Sequence, residues 1–315
     1  ILCFDMGGTT AKAALIDQGQ PARSLDFEVS RVDRFRKGSG LPLKVPVIDM
    51  IEIGAGGGSI ARVDRLGLIR VGPDSASADP GPACYGLGGT QPTVTDCDLL
   101  LGYLAPASFL GGEMALDVAA AERAVATQLG APLGLSAIEA AWAVHETVNN
   151  SMAQAASIHA LEKARRIEAY TMVPIGGAGP VHACHIARKL GLARLVVPPG
   201  AGVASAVGFL AAPISFAFLR GQAAPLAALD FAALRAVIAG MEGEGRAMLA
   251  AAGVAGGSTR ITAAMRYAGQ GYQVEAEVDP AALAAADRAP LRAAFEAEYR
   301  PRYGRIEAEV AVEFV

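Results

Sequence analysis

The first sixteen residues constrain the fold more than any other stretch. Ile1-Leu2-Cys3-Phe4 is a short apolar run that ends on Asp5. Met6-Gly7-Gly8-Thr9-Thr10 follows, and then a second apolar run from Ala11 to Ile16. Two strand-length segments joined this closely read as a β-hairpin, with strands over 1–5 and 11–16. Glycine has no Cβ, so a turn through Gly7 and Gly8 lets backbone N–H groups approach an anion closely. The hydroxyls of Thr9 and Thr10 add donors for phosphate oxygens. Asp5, a carboxylate at a strand end, is placed to hold Mg²⁺ through water. Lys12 either adds a positive charge there or points to solvent. An ordinary glycine turn is the alternative, but an aspartate before the glycines and two threonines after them favour phosphate.

Two further glycine clusters stand out. Tyr170–Ile175 reads as a strand, Gly176-Gly177-Ala178-Gly179 as its turn, and Pro180 suits the first position of a helix running to about Leu190, stopped by Gly191. With a strand at Arg194–Val197 this makes a βαβ unit. Free N–H groups at the helix start favour an anion or a polar ligand, or the turn is simply tight. The run Glu52-Ile53-Gly54-Ala55-Gly56-Gly57-Gly58-Ser59 is either a close backbone crossing or a second anion cradle, and spacing does not choose between them.

Composition removes several classes of function. A net charge of −4 gives no attraction to nucleic acid, and 6% aromatics leaves few platforms for stacked bases. The longest uncharged stretch, Leu195 to Leu219, carries Pro198, Pro199 and Pro213 with three glycines, so it reads as buried strands and loops rather than a membrane span. Four irregularly spaced cysteines make no disulfide framework or zinc site, and a reducing cytosol is expected. Because the chain opens directly in an apolar strand, it is expected to begin within a longer polypeptide.

The rest of the chain divides in two. Arg31–Lys44 reads as an exposed loop, Val47–Ile53 as a short apolar run, and 72–98 as a long ordered segment without repeats. Asp117–Leu129 has helical periodicity with Gly130 as its stop. Ser136 and Glu139 form a capping box for a helix continuing to about Arg166, with Ile138, Trp142, Val148 and Met152 as its core face. His182 and His185, three apart, could face one metal. With no third ligand identifiable they read as hydrogen-bonded helix histidines near a site, and Cys184 between them as a buried small hydrophobe. The texture changes near 221. A helix over 231–252, alternating strands at 260–267 and 272–278, a helix near 290–299 and an alternating end from Ile306 to Phe314 predict a separate α+β domain at 221–315.

In order, Asp5–Thr10, Ile53–Ile60, Val71–Ser75, Asp79–Gly86, Pro92–Asp96, Gly176–His182 and Arg266–Gly271 resemble the motifs of the hydantoinase A, oxoprolinase and acetone carboxylase family. The resemblance covers most of the chain. It implies an α/β, actin-like (ribonuclease H-like) ATPase domain at 1–220 with one lobe of its clamp upstream, followed by the smaller α+β domain. It implies ATP and Mg²⁺ as cofactors. Asp5 would serve the metal, and Asp5, Thr9 and Thr10 would act on the transferred phosphoryl group. Gly7, Gly8, Thr9, Thr10, Lys12, Gly56, Gly57, Gly58, Gly176, Gly177, Ala178 and Gly179 would bind the nucleotide. Where members of the family carry Ser-Thr-Asp, this chain has Thr10-Ala11-Lys12. Such proteins activate a carbonyl with ATP: a cyclic amide for hydrolysis, or a ketone or bicarbonate for carboxylation. A hydantoinase B-like subunit or domain completes the enzyme. A truncated, non-catalytic interaction module is the rival from outside enzymology.

Overall fold

Buried and half-buried residues alternate along both arms of the opening hairpin, β1 (Leu2–Met6) and β2 (Ala11–Asp17). Leu2, Phe4 and Met6 therefore face the core with Ala11, Ala13 and Leu15, while Cys3, Asp5 and Lys12 share the opposite face. The computed structural model describes residues 1–29 and 40–315. It divides into two units, Ile1–Ala211 and Ala212–Val315.

In the first unit β3 (Gln20–Pro21) extends β2. β4 (Arg23–Val29) and β5 (Leu41–Ile48) pair with each other, β6 (Met50–Ile53) returns to β2, and β7 (Ser59–Val63) pairs with β8 (Ile69–Ser75). Four helical segments follow: α1 (Val94–Leu100), α2 (Val118–Val125), α3 (Ala131–Leu133) and α4 (Ala137–Glu162). The unit ends with β9 (Thr171–Ile175), α5 (Gly179–Lys189), β10 (Arg194–Leu195) and α6 (Ala204–Ala211). The main, six-stranded sheet runs β10-β9-β1-β2-β3, with β6 also paired to β2. β1, β9 and β10 are parallel, and β2 is antiparallel to β1, β3 and β6. β9-α5-β10 is the expected crossover unit.

Helix α4 lies at the centre of this core. Ser136 and Glu139 cap it reciprocally, as the sequence indicates. Its buried face is mostly small, with Ala140, Ala141, Val144, Val148, Met152, Ala155 and Ala156, so the helix packs closely on neighbouring backbone. Ile138 and Trp142, expected on that face, are 53% and 41% exposed. They sit beside that face rather than on it: Ala140 and Ala141, in the same turns, are fully buried.

The second unit holds β11 (Ala224–Pro225), α7 (Phe231–Ala251), β12 (Thr262–Tyr267), β13 (Val274–Glu277), α8 (Pro280–Ala285), α9 (Arg288–Tyr303) and β14 (Val312–Phe314). Its antiparallel sheet runs β11-β14-β12-β13. Tyr267 packs edge-on to Phe295 and Tyr299 at 5.0 and 4.9 Å in its core.

Several local expectations need correction. Gly130 does not stop α2: a π-type turn over Ala126–Gly130 carries the chain into α3, which ends at Gly134 in the left-handed conformation. Leu41–Lys44, expected in a loop, belong to β5; Arg31–Gly38 and Ser39 lie outside the described residues. Helix α6 replaces the buried strands and loops expected after Val203, and none of its residues is buried. The alternation from Ile306 becomes strand only at Val312–Phe314. Cys184 is exposed, not buried. Among the described residues no helix is long and apolar enough to cross a membrane.

Candidate active site

Parallel pairing of β1 with β9 puts Asp5 beside Ile175, so the turns that leave these two strands emerge together. The Gly7–Thr10 turn is closed by the Gly7 N–H donating to Thr10 O at 3.1 Å. Beside it, the Ala178 N–H donates to Met6 O at 3.0 Å. Gly176 has φ +83°, and a Cβ there would collide with Asp5 Oδ1 and Met6 O. Only glycine lets the two turns close at this point.

The third glycine run joins them from the other side. Gly57 N–H donates to Gly7 O at 3.0 Å and Gly58 N–H to Gly8 O at 2.6 Å. The Gly56 N–H donates to Ser59 Oγ at 2.8 Å. All three amides are thus taken up within the protein, so this geometry favours the backbone crossing over the anion cradle. A Cβ on Gly56 would lie 2.6 Å from both Gly8 C and Thr9 N. Thr95, on α1, clamps the crossing: its N–H and hydroxyl both donate to Gly57 O, at 2.7 and 2.8 Å.

The other glycines behave differently. A Cβ on Gly7, Gly8 or Gly177 would meet nothing within 4 Å, and none of the three has a positive φ. The amides of Gly8, Thr9 and Gly177 donate to no backbone carbonyl of the described residues. Packing therefore does not demand glycine at these places. They form an open, donor-rich rim on one side of the junction, with Thr9 exposed and Thr10 half-buried beside it. Gly179 is the buried first residue of α5, and Pro180 lies in its first turn.

Asp5 is half-buried at the end of β1, and Ser205 donates its hydroxyl proton to Asp5 Oδ2 at 3.1 Å. Gly176 N–H donates to Ala201 O at 2.9 Å, so the segment from Gly200 into α6 forms another wall. Ser205 and Ala201 were not found by sequence reasoning, because nothing in an uncharged Gly/Ala/Val run marks them as polar neighbours of Asp5. Lys12 lies on the same face as Asp5, but its ammonium is 3.7 Å from Glu52 Oε1, with both side chains about half exposed.

Behind the rim lies a buried polar cluster. Asp98 of α1 meets His145 Nδ1 of α4 at 2.9 Å and His182 Nε2 of α5 at 3.1 Å. Burial would raise the Asp98 carboxyl, but the facing His182 and His145 imidazoles outweigh it and hold the group below its ordinary value. His185 is not part of this cluster. It pairs with Tyr103 Oη at 3.1 Å, and burial, then His145, pushes its imidazole down. Both histidines are hydrogen-bonded on the helix, as expected, but the i, i+3 spacing sends them to different partners. The cluster partners of His182 lie on two other helices, 84 and 37 residues away in sequence.

The hydantoinase/oxoprolinase family model matches residues 1–217. The whole chain is 32% identical to the caprolactamase subunit alpha of Pseudomonas jessenii and covers 45% of it. Over 66% of the chain it is 38% identical to the acetophenone carboxylase gamma subunit of Aromatoleum aromaticum, covering 27% of that protein. Among solved structures, a nucleotide-free acetone carboxylase aligns over 99% of this chain and 45% of its own, with TM-score 0.76 and 29% identity. The ATP-dependent caprolactamase of P. jessenii aligns over 100% of this chain and 46% of its own, with TM-score 0.70 and 29% identity. The chain spans less than half the length of each of these relatives. It belongs to the hydantoinase/oxoprolinase family, the group that also takes in the acetone carboxylases.

Proposed function

We propose that the rim formed by Gly7, Gly8, Thr9, Thr10 and Gly177 seats the phosphates of Mg·ATP, and that this chain is the nucleotide-binding part of an enzyme that activates a cyclic amide. The carrying observation is the split among the glycines. A Cβ on Gly56 or Gly176 would strike neighbouring backbone and one on Gly57 the Thr95 hydroxyl, whereas Gly7, Gly8 and Gly177 are open-sided, and the amides of Gly8, Thr9 and Gly177 donate to no backbone carbonyl of the described residues. Such free amides, with threonine hydroxyls beside them, suit phosphate oxygens. The sheet order, with β2 the one strand that runs against the rest of the six-stranded sheet, supports an actin-like ATPase lobe.

Asp5 fits a water-mediated Mg²⁺: it is an accessible carboxylate at the strand end, next to the free amides, with one oxygen oriented by Ser205. The ion, when bound, would neutralise charge on the phosphates. The protein's own groups orient the nucleotide and keep its terminal phosphorus in line with the acceptor. Transfer of that phosphoryl group to the amide oxygen yields ADP and a phosphorylated imidate. Water then adds to the carbon and the ring nitrogen leaves it, opening the ring to an acyl phosphate, from which a second water releases phosphate and leaves the carboxylate. An amide is a poor electrophile and the imidate a much better one, which is what ATP hydrolysis accomplishes. A hydantoinase B-like subunit would supply the other face of the substrate site, and the cytosol is the expected compartment.

A second reading has its own support, because the likeness to acetone carboxylase is as extensive as that to caprolactamase. In it, the same nucleotide site activates a ketone or bicarbonate. Assaying the complete polypeptide with its partner subunit separates the two. Phosphate release from ATP stimulated by a lactam, hydantoin or 5-oxoproline supports the hydrolase. Turnover that requires a ketone together with bicarbonate, without stimulation by any cyclic amide, overturns it.

A further inference from the structure

The Asp98–His145–His182 cluster plays no part in the nucleotide reading and stands on its own geometry. Its donor atoms lie within 4.8 Å of one another, on three different helices, and all three residues are buried. The two imidazoles approach opposite oxygens of one carboxylate, His145 Nδ1 at Oδ1 and His182 Nε2 at Oδ2. On its far side His182 Nδ1 meets Asn149 Oδ1 at 2.9 Å, and Asn149 is itself buried.

With the Asn149 amide oxygen facing Nδ1, the ring proton sits on Nδ1. Nε2 then presents a lone pair to Asp98 Oδ2, another acceptor. Two acceptors 3.1 Å apart in a buried site need a positive charge between them, supplied by a second ring proton or by a metal ion. An imidazole whose outer N–H donates to a fixed oxygen while its inner nitrogen faces a carboxylate is the outer-shell pattern of metal-ligating histidine. Among the described residues, the ionisable groups that face the Asp98 carboxylate are these two histidines.

We propose that Asp98, His145 and His182 bind a divalent first-row transition cation of the zinc class. Two imidazoles and one carboxylate are a donor set that suits such ions and is short of oxygens for calcium or magnesium. The site is closed to solvent, so the ion serves structure. His182 is the fourth residue of α5, whose first residue ends the Gly176–Gly179 loop, and Asp98 lies three residues beyond Thr95, which clamps Gly57. One ion joining α1, α4 and α5 thus fixes two of the three glycine turns from behind.

The test is the metal content of the purified full-length protein after dialysis against metal-free buffer, then after chelator treatment and titration with Zn²⁺ or Co²⁺. The expected result is about one equivalent bound per chain, with Co²⁺ giving visible d–d absorption. His182→Ala and Asp98→Asn should each lower the bound metal at least tenfold, while His185→Ala, outside the donor set, retains it. Where a variant fails to fold by circular dichroism, X-ray absorption at the metal edge of the wild-type protein replaces it and must show nitrogen and oxygen ligands including imidazole. Wild-type protein that holds no metal and takes up neither Zn²⁺ nor Co²⁺ overturns the proposal, and so does metal that persists in folded His182→Ala. The Asn149 amide would then be turned, with its Nδ2 donating to His182 Nδ1 and the cluster bridged by protons alone.

Discussion

The amide of Ala178 donates to the carbonyl oxygen of Met6 at 3.0 Å. A residue 172 positions later in the chain thereby holds the last residue of β1, and the phosphate-type turn and the later glycine bend become one structure. Their junction is made of backbone, so side-chain substitution can disturb it only by adding atoms where none fit.

Substitutions at Gly8 and Gly56 should separate binding from stability. Gly8→Val adds its side chain to open space, so unfolding should change by within about 1 kcal/mol. Nucleotide binding should nevertheless be lost. Gly56→Ala drives a methyl into the backbone of Gly8 and Thr9 and should destabilise by about 2–3 kcal/mol. Urea unfolding followed by fluorescence of Trp142, the chain's single tryptophan, reports on this unit directly.

Gly176→Ala combines two faults. The residue has φ +83°, and the added Cβ would overlap Asp5 Oδ1 and Met6 O. The expected loss is about 2–4 kcal/mol. A midpoint in urea equal to that of the unaltered protein would show that the two turns are not held as described.

Asp96 ties a different loop to the site. It is fully buried and accepts hydrogen bonds from Ala83 N at 3.2 Å, Cys84 N at 2.8 Å, Thr93 N at 2.9 Å and Thr93 Oγ1 at 2.8 Å. Asp96→Ala leaves these donors buried without a partner and should cost about 3 kcal/mol or more. Limited proteolysis should then cut within 76–92 faster than in the unaltered protein, because that segment loses its anchor.

Tyr170 gives a pH signature. Burial, and then the hydrogen bond it donates to Asp17 at 2.8 Å, push its phenol up to about 12 from an ordinary value of 10.0. A raised folded-state value means the native protein keeps its proton after the unfolded chain has lost it. The stabilisation is therefore complete below pH 10 and disappears as pH rises towards 12. Tyr170→Phe should flatten that part of the alkaline stability curve, measured as the urea midpoint between pH 9 and 12.

The legible parts of the fold were those with local signatures. The capping box at Ser136 and Glu139, the crossover around Gly176–Pro180 and the hairpin at Asp5 each declare themselves within a few residues, and each is present. What stayed hidden depends on partners distant in the chain. The crossing role of Gly56–Gly58 is decided by carbonyls of Gly7 and Gly8, some fifty residues earlier, and His182 finds Asp98 and His145 only once three helices pack. Ile138 and Trp142 fit a helical period, but period alone does not say how wide the covered face is at that end of α4, where the alanines Ala140 and Ala141 are the buried residues. Ser205 reaches Asp5 from a segment whose composition signals nothing polar.

Calorimetric titration of the protein with Mg·ATP tests the nucleotide assignment most directly. Saturable binding at one site is expected, weakened at least tenfold by Gly8→Val and by Asp5→Ala while both variants remain folded in the absence of urea. Binding of equal strength in these folded variants, or none in the unaltered protein, would contradict the placement of the phosphates on the Gly7–Thr10 turn.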